Sequence, residues 1–493
     1  MRRVLKWIGG LLALVAAAVV VLAAIVAVNT FRLGSKQLQV AAIPRAAVDE
    51  QGAAKRLAEA VRFKTISNFL NPDQDADALR GLREHIAASF PAFHAVAKRE
   101  IVGGHSLLYT WQGSDSAAKP IALLAHQDVV PVAPGTEKDW QQPPFDGVIA
   151  DGFIWGRGSW DDKGNLYSML EAAEQMAKAG FRPKRTIYFA FGHDEEVSGQ
   201  RGAKAIAALL ASRGVKLDFV LDEGLLITDG IMKGLDKPAA LIGVAEKGYA
   251  TLVLTSRATP GHSSMPPRET AIGMMAAALA RLEDHSLPAR VRGAVGEMFD
   301  TLAPEMHGFN RVVLSNLWLF KPLLVRELDK SGPTRAMVRT TTALTIFNAG
   351  DKDNVLPGNA EATVNFRLLP GDTQDSVTAH VRDTVKNDKI AIAPFPGNTN
   401  PPPVTGTAST GYRVLNQTIR EIFPDVIVAP GLMIAATDSR HYAGLTDNIF
   451  RFSPVRATSE DLKRFHGTNE RLSIANYADM IRFYLRFIQS SAG

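Results

Sequence analysis

"PIALLAHQDVV", residues 120–130, is the stretch that decides the fold of this 493-residue chain, because it is an almost unbroken apolar run. Two similar runs follow it, "RTIYFAFG" at residues 185–192 and "LDFVLDEG" at residues 217–224. Runs of this kind are typical of parallel strands that are covered on both faces. Between the first two runs, residues 165–180 carry apolar side chains at helical spacing and end in glycine. The order strand, helix, strand predicts an α/β fold with a mainly parallel sheet flanked by helices.

Polar side chains follow the ends of these predicted strands or lie in an adjoining loop. They are His126, Asp128, Asp161, Asp162, the acidic triplet 194–196 and Asp222. Each has a simpler explanation when it is taken alone: a buried histidine, an aspartate that caps a helix, or a solvated acidic turn. In an open α/β sheet, however, ligands bind beyond the carboxyl ends of the strands, so these residues are expected to meet at one edge. Several carboxylates gathered there would repel one another unless cations neutralised them, which indicates a metal site.

The ligand types suggest which metal this site would hold. Imidazole and carboxylate groups without any cysteine suit zinc, with cobalt or manganese as possible substitutes. There are more candidate ligands than one tetrahedral ion requires. A pair of ions about 3.5–4 Å apart, bridged by a shared carboxylate, is the arrangement we expect.

From residue 247 onward the pattern changes to an alternation of apolar and polar residues that predicts a second, smaller α+β unit. Its predicted elements are a strand in "YATLVLTSRA", a helix near 269–283, strands near 340–348 and 359–369, a helix near 374–386 and a strand near 389–394. Residues 285–338 contain four prolines and receive no assignment. We therefore expect an inserted domain at 247–397 between two parts of a larger domain, 45–246 and 404–493, with a proline-rich return linker at 394–404.

The net charge of +5 comes from the N-terminus. The first 40 residues hold five basic residues and no acidic one, so the rest of the chain has 50 of the 55 basic residues against all 50 acidic ones. A neutral body does not support a nucleic-acid partner.

An uncharged segment, "IGGLLALVAAAVVVLAAIVAV", occupies residues 8–28 behind Arg2, Arg3 and Lys6. Its 21 residues suffice to span a bilayer as a helix and exceed the apolar core of a typical cleavable signal. We therefore predict that residues 1–36 form an uncleaved single-pass anchor rather than the leader of a secreted form. The basic residues before the segment favour a cytoplasmic N-terminus and an extracytoplasmic body.

The ordered motifs "HQD", "GRGSWDDKG", "GHDEEVSG", "LDEG", "TPGHSS" and "FHGTNE" resemble those of the co-catalytic zinc aminoacylase and carboxypeptidase family, peptidase M20-type. The ending "TDSRHY…RFSPV…EDLKRFHGTNERLS" is most similar to its carboxypeptidase S and N-fatty-acyl-amino-acid synthase/hydrolase branch. The resemblance extends over about residues 50–490. It implies a zinc-exopeptidase-like fold with an inserted ferredoxin-like domain that serves as lid and dimerisation surface. It also implies hydrolysis of an amide or peptide bond next to a free carboxylate, in an N-acyl amino acid or a small peptide.

The resemblance also implies the ligands of two zinc ions per subunit. His126 and Asp222 would hold one ion, Glu196 and His466 the other, and Asp161 would bridge them. A cis peptide bond is expected between Asp161 and Asp162. Asp128 would hydrogen-bond the far nitrogen of His126 and thereby select its tautomer.

The catalytic roles follow from the same resemblance. Glu195 would be the general base that takes a proton from a water bridging the zinc ions, whereas Asp194 is expected to be merely solvated. His262 would stabilise the oxyanion, and in dimeric relatives this histidine reaches across from the other subunit. A homodimer formed through the lid domain is therefore expected.

Substrate recognition is assigned to Asn354 and Arg367, whose counterparts in carnosine dipeptidases contact the terminal carboxylate of the substrate. Arginine suits this role because its planar guanidinium can bind a carboxylate through two hydrogen bonds. Arg440 is a second candidate. Two other functions stay open: a catalytically inactive membrane receptor or scaffold on a metallopeptidase fold, and a broad dipeptidase or deacetylase.

Overall fold

The computed structural model of the chain describes residues 2–41 and 43–493. Its strands form at the apolar runs, and its helices form where apolar residues recur every three or four positions. The strands are β1 (Ala97–Val102), β2 (Ser106–Trp111), β3 (Ile121–His126), β4 (Val148–Ala150), β5 (Phe153–Trp155), β6 (Ile187–Gly192), β7 (Val220–Thr228), β8 (Ala239–Glu246), β9 (Gly248–Arg257), β10 (Gly261–His262), β11 (Thr341–Ala349), β12 (Val355–Leu356), β13 (Asn359–Leu368), β14 (Ile390–Pro394), β15 (Ile427–Met433), β16 (Ile449–Ala457) and β17 (Arg471–Ser473). The helices are α1 (Arg2–Arg32), α2 (Glu50–Val61), α3 (Ala76–Ser89), α4 (Pro91–Val96), α5 (Lys163–Lys178), α6 (Ala203–Ser212), α7 (Ala271–Asp284), α8 (Gly293–Leu302), α9 (Gly308–Ser315), α10 (Leu317–Leu328), α11 (Gly332–Val338), α12 (Gln374–Val385), α13 (Thr410–Ile422), α14 (Ser459–Leu462) and α15 (Ile474–Ala492).

The largest sheet has eight strands in the order β1-β2-β6-β3-β7-β16-β8-β15. Its centre is parallel, since β3 pairs in parallel with both β6 and β7, and β16 pairs in parallel with β7. Every residue of β3 is buried, as expected for a strand with helices on both faces. The mixed, mainly parallel α/β sheet predicted from the sequence is confirmed, and the three apolar runs become β3, β6 and β7.

Helices cover this sheet where the sequence predicted them. Helix α5 corresponds to the predicted helix at 165–180 and packs against α15, which ends the chain. The Ser473 side chain accepts a hydrogen bond from the Asn476 amide at the start of α15, a common way to satisfy a free amide at a helix N-terminus. The large core lies between the helices and the sheet.

A second sheet of four antiparallel strands has the order β11-β13-β9-β14. With α7 and α12 it completes the predicted β-α-β-β-α-β order, and these elements share a core of their own. Residues 285–338, which the sequence left unassigned, form α8 to α11. Met298 and Phe299 of α8 join the core of the large sheet rather than that of the small one. We therefore propose that the inserted domain consists of β9 to α7 and β11 to β14, and that α8 belongs with the catalytic unit.

Among the described residues, one helix, α1, is long and apolar enough to cross a membrane by length and composition. Its C-terminal end contacts α9. A short sheet of β4, β5 and β17 brings the end of the chain back to the loop that precedes α5, because β17 pairs with β5.

Candidate metal centre

The predicted metal ligands come from the carboxyl ends of strands and from two loops beside them. His126 is the last residue of β3, and Glu196 lies in a short 3-10 helix, Glu195–Val197, just after β6. Asp161 precedes α5, and the peptide bond from Asp161 to Asp162 is cis, as the resemblance implied. His466 lies in the turn before β17. Since these elements converge at one edge of the sheet, the four side chains meet there.

Two groups of possible ligands share the Asp161 carboxylate. In the first group, His126 Nε2 lies 3.1 Å from Asp161 Oδ1 and 3.8 Å from Glu223 Oε1. In the second, His466 Nε2 lies 2.7 Å from Asp161 Oδ2 and 3.3 Å from Glu196 Oε1. Each oxygen of Asp161 therefore faces a different group, which is the geometry of a bridging carboxylate.

The charges of both groups favour a bound cation. Burial and the neighbouring Asp161 raise the pKa of Glu196, and the same two causes raise the pKa of Glu223 well above its usual range. Burial alone would lower the pKa of His466, but the carboxylates of Asp161 and Glu196 beside it outweigh burial and raise that pKa to about 10. The carboxylates thus require positive charge beside them, from a proton on the imidazole or from a metal ion. Glu196 Oε1 is buried without a hydrogen bond, which fits an oxygen that coordinates a cation.

Glu223 is a candidate ligand that the sequence analysis missed. The predicted ligand Asp222, one residue earlier, accepts two backbone hydrogen bonds: Oδ1 accepts from the Glu223 amide at 3.0 Å and Oδ2 from the Ser439 amide at 2.7 Å. Glu223 instead joins His126 and Asp161 in the first group. Adjacent strand residues point to opposite faces, but which face meets the site depends on strand twist and register. The sequence offered no signal that separates the two acids.

Asp128 holds both His126 and the loop after β6. His126 Nδ1 donates to the backbone carbonyl of Asp128 at 3.0 Å, so Nε2 is the ring nitrogen that faces Asp161 and the site. The Asp128 carboxylate lies 3.4 Å from the same Nδ1 and accepts from the amides of Glu195 and Glu196, each at 3.1 Å. The structure therefore places Asp128 where it orients one predicted ligand and positions the backbone of two further site residues.

Glu470 supports the loop that carries Asp161, and the sequence analysis assigned it no role. Its Oε1 accepts from the amides of Gly158, Trp160 and Asp161 at 2.9–3.1 Å, and its Oε2 pairs with Arg157 at 2.5 Å. Arg157 in turn donates to the backbone carbonyl of His466 at 3.1 Å. The buried Arg157–Glu470 ion pair thus connects the backbone at Asp161 to the backbone at His466. It joins residues more than 300 positions apart, so no local sequence pattern could have revealed it.

The three acidic residues of the loop after β6 differ in their surroundings. The expectation that Asp194 is solvated is wrong: it is buried, and its carboxylate accepts from the amides of Arg201 and Gly202, both at 2.8 Å. Asp194 therefore closes the turn between β6 and α6. Glu195 is half-buried, and burial together with the charge of Asp438 raises its pKa well above the usual range. A raised pKa makes its carboxylate a stronger base.

Asp438 and Arg440 lie in a short 3-10 helix, Asp438–Tyr442, that faces the Glu195 loop. Arg440 donates to the backbone carbonyls of Thr437 and Ser198, each at 3.0 Å. Arg367 on β13 lies over the ring of Tyr249, with its guanidinium carbon 4.8 Å from the ring centre. Burial lowers the pKa of Arg367, and Arg440 lies close enough to influence that pKa as well. The structure therefore places two of the three predicted substrate-binding residues within electrostatic range of each other.

The third substrate-binding candidate, Asn354, lies beside His262 instead. The Asn354 carbonyl accepts from the Ser263 amide at 3.1 Å, and β10, which ends in His262, pairs with β12. His262 is exposed and its Nδ1 lies 2.9 Å from Ser264 Oγ. Within one chain, and among the described residues, His262 is not part of either ligand group.

A buried ion pair that the sequence analysis did not identify supports the Thr437–Arg440 segment. Arg451 Nε donates to Glu246 Oε2 at 2.6 Å, and the same oxygen accepts from Thr437 Oγ1 at 3.1 Å. Both charged side chains are inaccessible to solvent. Removing either partner would leave a buried charge uncompensated, and the Thr437 hydrogen bond connects this pair to the residue that precedes Asp438.

Comparisons with known proteins show what the chain is similar to. Residues 122–490 match the model of the family described as peptidase family M20/M25/M40. N-fatty-acyl-amino acid synthase/hydrolase PM20D1 from Xenopus tropicalis is 45% identical over 436 residues, which cover 88% of this chain and 84% of that protein. Probable carboxypeptidase S-like 2 from Dictyostelium discoideum is 42% identical and covers 94% of this chain and 91% of its own length. The M20 family metallo-carboxypeptidase Sso-CP2 from Sulfolobus solfataricus, a solved structure, shares the fold with a TM-score of 0.64 at 19% identity, over 90% of this chain and 99% of its own.

Proposed function

The chain belongs to peptidase family M20/M25/M40 and is a hydrolase of amide bonds, and from this premise we propose that it cleaves the bond next to a free carboxylate in N-acyl amino acids or small peptides. The observation that carries the proposal is the Asp161 carboxylate shared by two ligand groups. An inactive receptor or scaffold is not favoured, because the ligand groups and the adjacent glutamate are all present.

We propose two zinc ions as the cofactor. His126, Asp161 and Glu223 would hold one, and Asp161, Glu196 and His466 would hold the other. Nitrogen and oxygen ligands without cysteine suit zinc, and three protein ligands per ion leave a position open, as catalytic zinc requires. When bound, zinc would polarise the amide carbonyl and lower the pKa of a water molecule towards about 7.

Glu195 would move the proton in this reaction. It lies next to Glu196 but belongs to neither ligand group, and its raised pKa suits a carboxylate that accepts a proton and later donates it to the leaving amine. Asp128 would keep Glu195 in place through the backbone amide. Both roles are proposals that rest on this placement.

Arg367 is the proposed partner of the substrate carboxylate, with Arg440 as a second cation. Two neighbouring guanidinium groups beside the Glu195 loop would attract and orient an anionic substrate. We assign oxyanion stabilisation to His262 and a substrate contact to Asn354, and we propose that the partner subunit of a homodimer supplies both. Their exposed position together on β10 and the β11–β12 turn is compatible with that arrangement.

Helix α1 is proposed to remain in the mature protein as a membrane anchor with the catalytic body on the extracytoplasmic side. Its length, its apolar composition and the basic residues before it support this topology.

Glu223→Gln and Asp222→Asn should separate the two acidic residues at the end of β7. We expect Glu223→Gln to lower zinc affinity by more than about 100-fold, since losing a residue that merely supports a ligand already costs about 10–100-fold. Asp222→Asn keeps an oxygen for only one of the two backbone amides, so as a supporting residue it should lower zinc affinity by about 10–100-fold. Calorimetric zinc titration of both full-length variants makes the comparison. The reverse order of losses would assign the ligand to Asp222, as the resemblance implied.

A hydrolysis screen of the zinc-loaded full-length protein tests the proposed function. We expect release of the amine from N-acyl amino acids or small peptides, measured by mass spectrometry. The matched control is each substrate with its carboxylate converted to a carboxamide. This change should lower kcat/KM by about 10–100-fold, because hydrogen bonds to charged groups contribute roughly 1.5–3 kcal/mol. Equal values for acid and carboxamide would contradict carboxylate recognition, and hydrolysis of N-acetyl compounds alone would favour a deacetylase.

A further inference from the structure

Helices α9 and α10 form a hairpin, residues 308–328, whose outer surface is apolar and exposed. Twelve of its residues are bulky aliphatic or aromatic, yet no residue of α10 is buried. Phe309, Trp318 and Leu323 are 62%, 60% and 44% exposed. A helix of this composition in a water-soluble protein normally buries an apolar face, so the exposed surface requires an explanation.

The α9–α10 hairpin is fastened to the end of the apolar helix α1. Asn316, the residue between α9 and α10, donates from Nδ2 to Thr30 Oγ1 at 3.1 Å and to the Val26 carbonyl at 3.3 Å. It also accepts from Asn29 Nδ2 at 3.1 Å. Arg311 of α9 donates to the carbonyls of Thr30 and Leu33 at 3.3 and 3.1 Å. These hydrogen bonds hold the hairpin against residues 26–33, at the C-terminal end of α1.

The C-terminal end of α1 would lie at the surface of the bilayer that this helix is proposed to cross. At a rise of about 1.5 Å per residue, the apolar segment 8–28 is about 32 Å long, close to the roughly 30 Å thickness of the hydrocarbon core. Val26 to Thr30 then lie where hydrocarbon gives way to lipid headgroups. Since Asn316 bonds to this part of α1, the exposed face of the hairpin must lie close to the membrane surface.

We infer that the α9–α10 hairpin docks on the surface of the bilayer that α1 crosses, as a second membrane contact of the catalytic body; this inference rests on the proposed anchor. Trp318 is a residue type that lies at the headgroup level of membrane proteins, and Trp and Phe both occur on the apolar faces of helices that lie in the membrane interface. Lys321 and Arg326, on α10, have long side chains that reach headgroups while their methylene stems lie along apolar surface. Docking would hold the body in one orientation towards the lipid.

A second copy of the chain is the other possible occupant of this surface, and the structure favours the lipid. The hairpin is hydrogen-bonded to a membrane-spanning helix at the depth of the interface, where lipid is already present. Contact with a second copy would additionally require the two anchors to associate. The experiment below treats that contact as one of its outcomes.

The absence of cysteine allows a direct test with single-cysteine variants of the full-length protein. Trp318→Cys and Leu323→Cys are labelled with a nitroxide and reconstituted into vesicles of phosphatidylcholine with phosphatidylglycerol. Electron paramagnetic resonance then measures relaxation by oxygen, which concentrates in lipid, and by a water-soluble nickel chelate. Leu70→Cys is the water-exposed control: Leu70 is 90% exposed and lies in a loop that contacts Arg201 rather than α1. Val20→Cys reports on the anchor itself.

We expect the labels at 318 and 323 to relax several times more strongly with oxygen than with nickel, and the label at Leu70 to show the opposite order. Equal behaviour of positions 318 and 70 would overturn the inference. Low accessibility to both reagents at 318 and 323 would assign the surface to a protein contact and would also overturn it. The label at Val20 separates the two proposals. If it relaxes more strongly with oxygen while the label at 318 relaxes more strongly with nickel, α1 is a membrane anchor but the hairpin does not dock on the bilayer.

Discussion

Glu195→Gln should lower kcat by at least about 10²–10⁴-fold while the protein keeps two zinc ions per subunit. General acid–base groups typically contribute a factor of this size, and glutamine cannot accept a proton. The amide preserves the shape of the side chain, and Glu195 belongs to neither ligand group, so the metal ligands should stay in place. Steady-state kinetics and elemental analysis of the same preparation measure the two quantities, and KM should change little.

The neighbouring Glu196→Gln is the matched control, since it makes the same chemical change one residue away. Glu196 Oε1 lies 3.3 Å from His466 Nε2, inside the second ligand group. Its replacement should weaken that zinc site, and activity should recover partly when excess zinc is added. If Glu195→Gln proves to be the metal-depleted variant and Glu196→Gln the inactive variant with full metal, the two roles are reversed.

The contrast between these neighbours has a physical origin in the loop that carries them. Asp128 accepts from the amides of both glutamates, so the two Cα positions are held by one buried carboxylate. Their side chains then diverge, with Glu196 beside Asp161 and His466 and Glu195 beside Asp438. Two residues with the same pKa in water therefore have different partners. This is how adjacent carboxylates acquire separate roles in one site.

The local sequence pattern predicted those parts of the fold that depend on periodicity. The apolar runs became β3, β6 and β7, and their order alone implied that His126 and the 194–196 loop would share an edge. The two helices of the inserted unit and its four strands also lie where the pattern of apolar residues predicted them. These elements are stabilised by burial of one face or of both faces, and burial is what the pattern of apolar residues records.

Elements whose positions depend on distant partners could not be predicted in this way. In α10 the apolar residues surround the helix and Pro322 interrupts it, so no helical periodicity was visible. The pair Arg157–Glu470 and the bonds between Asn29 and Asn316 join residues roughly 300 positions apart. The choice between Asp222 and Glu223 depends on strand twist. The roles of the site residues stay predictions until variants are measured.

Asp161→Ala should remove both zinc ions and abolish turnover. Each proposed ion would be left with two protein ligands, whereas catalytic zinc sites ordinarily have three. Since Asp161 contributes to both groups, one substitution should affect both ions, which distinguishes it from substitution of any other ligand. Elemental analysis of the purified full-length variant measures the metal, and circular dichroism confirms that it is folded. Two ions per subunit in the folded variant would refute the shared-ligand assignment.

Two conservative variants show whether loss of the bridge itself is the cause. Asp161→Asn has the same volume but offers only one oxygen as a ligand, so it should retain at most one ion and stay inactive.

Asp162→Asn is the neighbouring control. Burial and the adjacent Asp161 already raise the pKa of Asp162 well above its usual range, so a neutral amide is a close substitute. The amide oxygen can still accept from the His126 backbone amide, as Asp162 Oδ2 does at 3.2 Å. Asp162→Asn should therefore keep both ions. If it loses as much metal as Asp161→Asn, the loop geometry rather than the shared carboxylate holds the two ions.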